Sequence, residues 1–163
     1  MRAIWHYNVG HMAHSPKRRR TPPAGADPSS YASLLGLGAT TPLALVKEVS
    51  RGFPYTTLAH LRKATGLSSR ELADAVNIRM RTVARRKERG RLDPGESDRL
   101  LRFARVFAAA VHLFGEDVPA ARHWFAKERR AFGGQSALEL VATEAGTREV
   151  EALIWRLEYG VLT

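Results

Sequence analysis

Cysteine is absent from this 163-residue chain. That excludes a disulfide framework, a thiolate zinc site and a cysteine nucleophile, and it suits the reducing cytoplasm. No apolar run approaches the ~18 residues that a membrane span needs, so no membrane partner is expected. The start of the chain also lacks the pattern of a signal peptide: the cluster Lys17-Arg18-Arg19-Arg20 follows a weakly apolar stretch instead of leading it. Sustained alternation of apolar and polar residues is missing, and no hairpin dipeptide sits between β-branched runs, so strands are not expected. There is no glycine-rich phosphate loop and no Ser/His/Asp grouping. The chain is therefore read as no enzyme, with no catalytic residues and no cofactor. Among the 6 histidines only His11 and His14 have helical ligand spacing. No acid lies beside them, so no metal site is expected.

What is present is charge, unevenly placed. The formal net charge is +10, and residues 79–91 hold seven basic side chains against one acid. Residues 1–33 hold five basic groups against one acid, whereas residues 92–163 hold nine against eleven. A positive field at one end and a mildly acidic remainder imply nucleic acid as one partner and something different as the other. Hydrophobic content of 44% is enough for a core. Residues 1–33 are the exception. Their stretch SPKRRRTPPAGADPSS is rich in Pro, Ser and charge, and is read as a disordered basic tail. Its cationic cluster either stays solvated or adds phosphate attraction, and Met12 is an alternative start.

The remainder reads as helices, giving an all-α fold. A helix over residues 42–50 has Thr41 as cap, Pro42 in its first turn and Gly52 as stop, with Leu43, Val46 and Val49 on one face. A second spans residues 55–65, with Leu58, Leu61 and Ala64 together. A third starts at the capping box Ser68-x-x-Glu71 and buries Leu72, Ala73 and Val76. Ala73 takes the small-residue position of a helix-turn-helix. Asn77, four residues on, takes the left-handed turn, which asparagine tolerates well. Ile78 and Val83 anchor the next helix, and Gly90 ends it. Arg79, Arg81, Thr82, Arg85 and Arg86 are then expected on outer or flanking faces toward DNA, with Arg89 and Arg91 nearer the backbone.

A fifth helix opens at Asp93-Pro94-Gly95-Glu96. Its residues Leu100, Phe103, Ala104, Phe107, Val111 and Phe114 cover most of its circumference, more than one small bundle consumes. A homodimer with Phe103, Phe107, Val111 or Phe114 at the contact is expected. A helix over residues 119–129 turns Ala121, Trp124 and Phe125 inward. A short helix over residues 136–143 stops at Gly146. The last helix runs from Thr147 to Gly160, with Val150, Leu153, Ile154 and Leu157 on one stripe. The apolar end Val161-Leu162-Thr163 either folds back on the core or plugs a partner's pocket.

The run from Thr65 to Val106, TGLSSRELADAVNIRMRTVARRKERGRLDPGESDRLLRFARV, resembles the Xre/MbcA/ParS antitoxins. So do Phe114-Gly115, Ala121-x-x-Trp124, Gly133-Gly134 and the closing Arg156-Leu157-Glu158-Tyr159-Gly160-Val161. The resemblance covers roughly residues 42–163. It implies a helix-turn-helix DNA-binding domain, placed at residues 34–105, and a small helical toxin-binding domain, placed at residues 106–163. It further implies a RES-domain, NAD-consuming toxin encoded by a neighbouring gene as partner. The C-terminal segment would block that toxin's active site, and the helix-turn-helix would repress the shared operon at its operator DNA. The toxin-binding residues implied are Trp155, Arg156, Glu158, Tyr159, Gly160, Val161, Leu162 and Thr163. The competing reading is a stand-alone dimeric transcription regulator whose C-terminal part serves dimerisation or sensing.

Overall fold

Local stop and start signals divide the chain into helices. The computed structural model describes residues 27–39 and 41–160. Among these residues there is no strand, and the helices are α1 Pro28–Leu34, α2 Pro42–Arg51, α3 Thr56–Thr65, α4 Ser69–Ala75, α5 Met80–Arg89, α6 Pro94–Leu113, α7 Val118–Ala126, α8 Ala137–Leu140 and α9 Glu144–Tyr159. A 3-10 turn, Arg130–Phe132, joins α7 to α8. The starts are chemical. Thr41 Oγ1 accepts the Ala44 amide at 3.2 Å. Ser68 and Glu71 exchange side-chain-to-amide bonds at 3.1 and 2.7 Å. The Asp93 amide donates to Glu96 at 2.8 Å, and Ser136 caps α8 in the same reciprocal way.

Five helices lie against α6, which is 20 residues long: α1, α2, α3, α7 and α9. Phe103, Phe107 and Phe125 meet at ring-centroid separations of 5.2 to 6.0 Å in the middle of this core. Trp124 extends it through Phe114 and Phe132, each 6.3 Å away. Buried residues from α1 to α9 belong to one apolar cluster.

Several sequence expectations are corrected. Residues 28–33 are not part of a tail. They form α1, with Asp27 as its cap, and Tyr31, Ala32 and Leu35 are buried against the core. Residues 1–26, including the Lys17–Arg20 cluster, His11, His14 and Met12, lie outside the described residues. On α2 the inward residue is Leu45, whereas Leu43 and Val46 are 66% and 58% exposed. Phe103, Phe107 and Val111 are buried within the chain itself, and Phe114 is half-buried against Trp124. Most of the apolar circumference of α6 is therefore covered by its own neighbours, and Phe103 and Phe107 are enclosed by them. The last helix begins three residues earlier than expected, at Glu144, with Thr143 Oγ1 accepting the Gly146 amide at 3.0 Å. Gly146 is not a stop. It lies in the first turn of α9, where a Cβ would come within 2.1 Å of the Leu140 carbonyl oxygen, so its missing side chain lets α8 and α9 touch.

Candidate functional site

The first candidate surface is built by the turn between α4 and α5. Ala73 is buried, and its carbonyl accepts the Ile78 amide at 2.8 Å. Asn77 has φ 49°, the left-handed conformation its side chain tolerates. The chain thus reverses in a few residues, and α5 starts with Arg79 as its extended N-cap. Ile78 is buried and Val83 packs against the core, which fixes the inward side of α5.

Arg79, Arg81, Arg85 and Arg89 are exposed, and Thr82 is half-buried at the flank. None of the ion pairs among the described residues involves these four arginines or Lys87. Their charge is uncompensated and outward. Arg86 departs from the expectation. It is only 4% exposed, and its Nε donates to Glu96 at 2.8 and 3.1 Å while an Nη reaches Asp93. The Glu96 carboxylate beside it pushes its pKa further up, so the buried guanidinium stays charged. Arg86 faces inward because it lies three residues after Val83, on the same helical side. It ties α5 to the first turn of α6 and does not belong to the outward surface. Arg91 is likewise engaged: its guanidinium donates to the Gly52 carbonyl at 2.6 Å.

The second candidate surface lies at the far end of α9. Val150 and Ile154 are buried on α6, whereas Trp155 is 40% exposed and packs against Tyr159 in a tilted arrangement with centroids 5.2 Å apart. Glu158 is exposed, and Arg156 and Tyr159 are half-buried. Gly160 ends the helix in the left-handed conformation at φ 65°, so the chain leaves the helix axis there. Val161, Leu162 and Thr163 lie outside the described residues. Beside this end runs a groove of about 890 Å³ between α1, α6 and α9, with Leu34, Ala108 and Ile154 along it and Trp155 and Glu158 at its margin. Arg105 and Glu151 pair across it at 2.8 Å. A further clamp holds α9 to α6: Arg102 meets Glu144 at 2.5 Å, and this bond, aided by Arg148, holds the Glu144 carboxyl below the usual range. The sequence reading missed the α1 wall of this groove and the exposed Met80 at the start of α5. The signal for α1 was available in Asp27-Pro28, a cap followed by a first-turn proline.

A turn of this geometry, presenting a cationic helix on a helical body that continues into a second set of helices, defines a helix-turn-helix protein with an added C-terminal domain. Comparison with known proteins makes the class specific. Residues 44–105 match the antitoxin Xre-like helix-turn-helix domain, and residues 109–160 match the antitoxin Xre/MbcA/ParS C-terminal toxin-binding domain. A protein named antitoxin Xre from Yersinia enterocolitica is 36% identical over 130 residues, 79% of this chain and 88% of the relative. Proteins of the same name from Pseudomonas putida and Photorhabdus laumondii are 34% and 28% identical, covering 69% and 71% of this chain and 70% and 78% of theirs. The chain belongs to the Xre/MbcA/ParS antitoxin family. No helix among the described residues is long and apolar enough to cross a membrane.

Proposed function

We propose that this antitoxin neutralises a RES-type, NAD-consuming toxin encoded beside it by placing its C-terminal segment in the toxin's active site, and that it represses its own operon by binding operator DNA through α5. The observation that carries the first half is the end of α9. Gly160 turns the chain away at a margin that already exposes Trp155 and Glu158. The apolar Val161 and Leu162 that follow would gain from burial in a concave pocket. Tyr159 supplies a rigid aromatic anchor with a polar tip. Arg156 and Glu158 supply charges that can compete for groups a dinucleotide would otherwise engage. The second half rests on Arg79, Arg81, Arg85 and Arg89, exposed and unpaired on one helix, with Thr82 beside them. Their attraction is to phosphates and guanine edges. Residues 34–105 would serve DNA and residues 106–163 the toxin, in the cytoplasm where both partners reside.

Truncation separates the two activities. Removing residues 158–163 should leave folding and DNA binding intact while NAD consumption by the purified toxin resumes. Continued full inhibition by the shortened chain would replace the plug with occlusion by the folded domain. In the complementary variant, Arg81→Ala with Arg85→Ala, operator affinity should collapse while toxin inhibition is retained.

A homodimer remains part of the proposal, because paired helix-turn-helix units match the two-fold symmetry of operators. Its contact must use apolar surface that is free, and Leu43 with Val46 is the most exposed such pair among the described residues. Sedimentation of Leu43→Ser/Val46→Ser at micromolar concentration should show a monomer where the parent chain is a dimer.

A further inference from the structure

An apolar strip lies along α5 beside its arginines. Met80 opens the helix and is 44% exposed, and Ala84, one turn later, is exposed as well. With about 3.6 residues per turn, Met80 and Ala84 align along one edge of the outward face, next to the row of Arg81 and Arg85. Val83 and Arg86 point the other way, into the body. The other large exposed apolar side chains among the described residues, Leu43, Val46, Trp155 and Leu157, lie on α2 and α9. Met80 alone stands within the cationic segment.

A thioether gains nothing from phosphates. The major groove offers one apolar feature to a side chain, the C5-methyl group of thymine. Recognition helices set their N-terminal residues against base edges, and Met80, Arg81 and Ala84 are the outward residues of the first half of α5, with Arg85 directly after them. Methionine is unbranched and conformationally adaptable, so its terminal methyl can settle on a partner methyl without a fixed rotamer. Alanine at the next turn keeps the helix close to the floor of the groove, where a longer side chain would hold it away.

We infer that Met80, with Ala84 behind it, reads the methyl group of a thymine next to the base pair contacted by Arg81 or Arg85. This rests on the proposal that α5 enters the major groove. It adds that the preferred site pairs a thymine with a neighbouring guanine, so that methyl contact and guanidinium contact together set the sequence.

The test begins with selection of a preferred duplex from randomised DNA by the purified full-length chain. Each thymine of that duplex is then exchanged for deoxyuridine, which deletes the methyl and keeps every hydrogen-bonding group. At one thymine the exchange should weaken binding by the parent chain roughly fourfold, the worth of burying a single such carbon. Met80→Ala should be insensitive to the same exchange, and Met80→Leu should keep most of the sensitivity. Silence of every uracil exchange, or equal weakening of the parent and Met80→Ala, would overturn the inference while leaving DNA recognition standing. If selection yields no preferred duplex, recognition by α5 fails and the inference fails with it.

Discussion

Arg86 serves a purpose opposite to that of the cations around it. Its guanidinium lies beside Glu96, itself only 6% exposed, and reaches Asp93 at the start of α6. Removing it strands a carboxylate in the interior. Arg86→Ala should lower unfolding stability by about 3–5 kcal/mol, measured in urea, with DNA affinity falling only as far as the folded fraction falls. The double replacement Arg86→Met/Glu96→Gln removes both charges and should recover most of that loss. By contrast, Arg81→Ala on the exposed side should change stability by less than about 0.5 kcal/mol. In the sequence these arginines are one run. What separates them is their angle around α5, set by Ile78 and Val83, together with the acids seven and ten residues downstream of Arg86. Both signals are present in the chain, but neither shows which arginine the acids will reach until α6 has folded back on α5.

Elements that begin on a cap and a proline were legible, and the one that was missed shows why. Asp27-Pro28 repeats the start found at Thr41-Pro42 and Asp93-Pro94, yet its surroundings are rich in Pro, Ser and Arg, and composition outweighed the cap. The outcome is decided by burial that a local pattern does not contain: Leu35, at the end of α1, is fully enclosed by residues from distant segments. Leu35→Ala should cost about 2–5 kcal/mol in chemical denaturation, as a large-to-small change in a core does; a change no larger than that of an exposed site would mean α1 is not docked. The inward face of α2 was misassigned for a different reason. Leu43, Leu45, Val46 and Val49 spread over much of its circumference, so periodicity permits two stripes. Docking on α6 selects the one with Leu45. The helix-turn-helix was readable because its capping box, small residue and turn residue are all local. The groove was not, because residues 27–34, 105–112 and 151–158 meet only in three dimensions.

Among the described residues of the whole molecule, three glutamates hold their protons less tightly than usual. Glu71 and Glu139 are lowered by the amide and hydroxyl bonds of their capping boxes, and Glu144 by Arg102 and Arg148. Because their folded pKa values lie below the ordinary 4.5, the stability they contribute is present above that value. It is lost as pH falls from there through the lowered values. Thermal midpoints should therefore hold steady on this account between pH 7 and about 5 and drop on further acidification. Glu144→Gln should reduce the drop; an unchanged profile would show that the clamp on α9 carries none of it. One cluster joins α1 to α9, so unfolding followed by circular dichroism and by tryptophan fluorescence should give coincident transitions.

That shared core also ties together two lifetimes. α6 starts beside the recognition helix and ends among the aromatic residues of the C-terminal half, with no loop between at which one half could be cut away from the other. Unfolding of either half should therefore bring down the other. Under the proposed function, the operator is vacated at the rate at which the toxin is set free. Replacement antitoxin is then transcribed from the moment the old supply decays, timed by the same clock that creates the need for it.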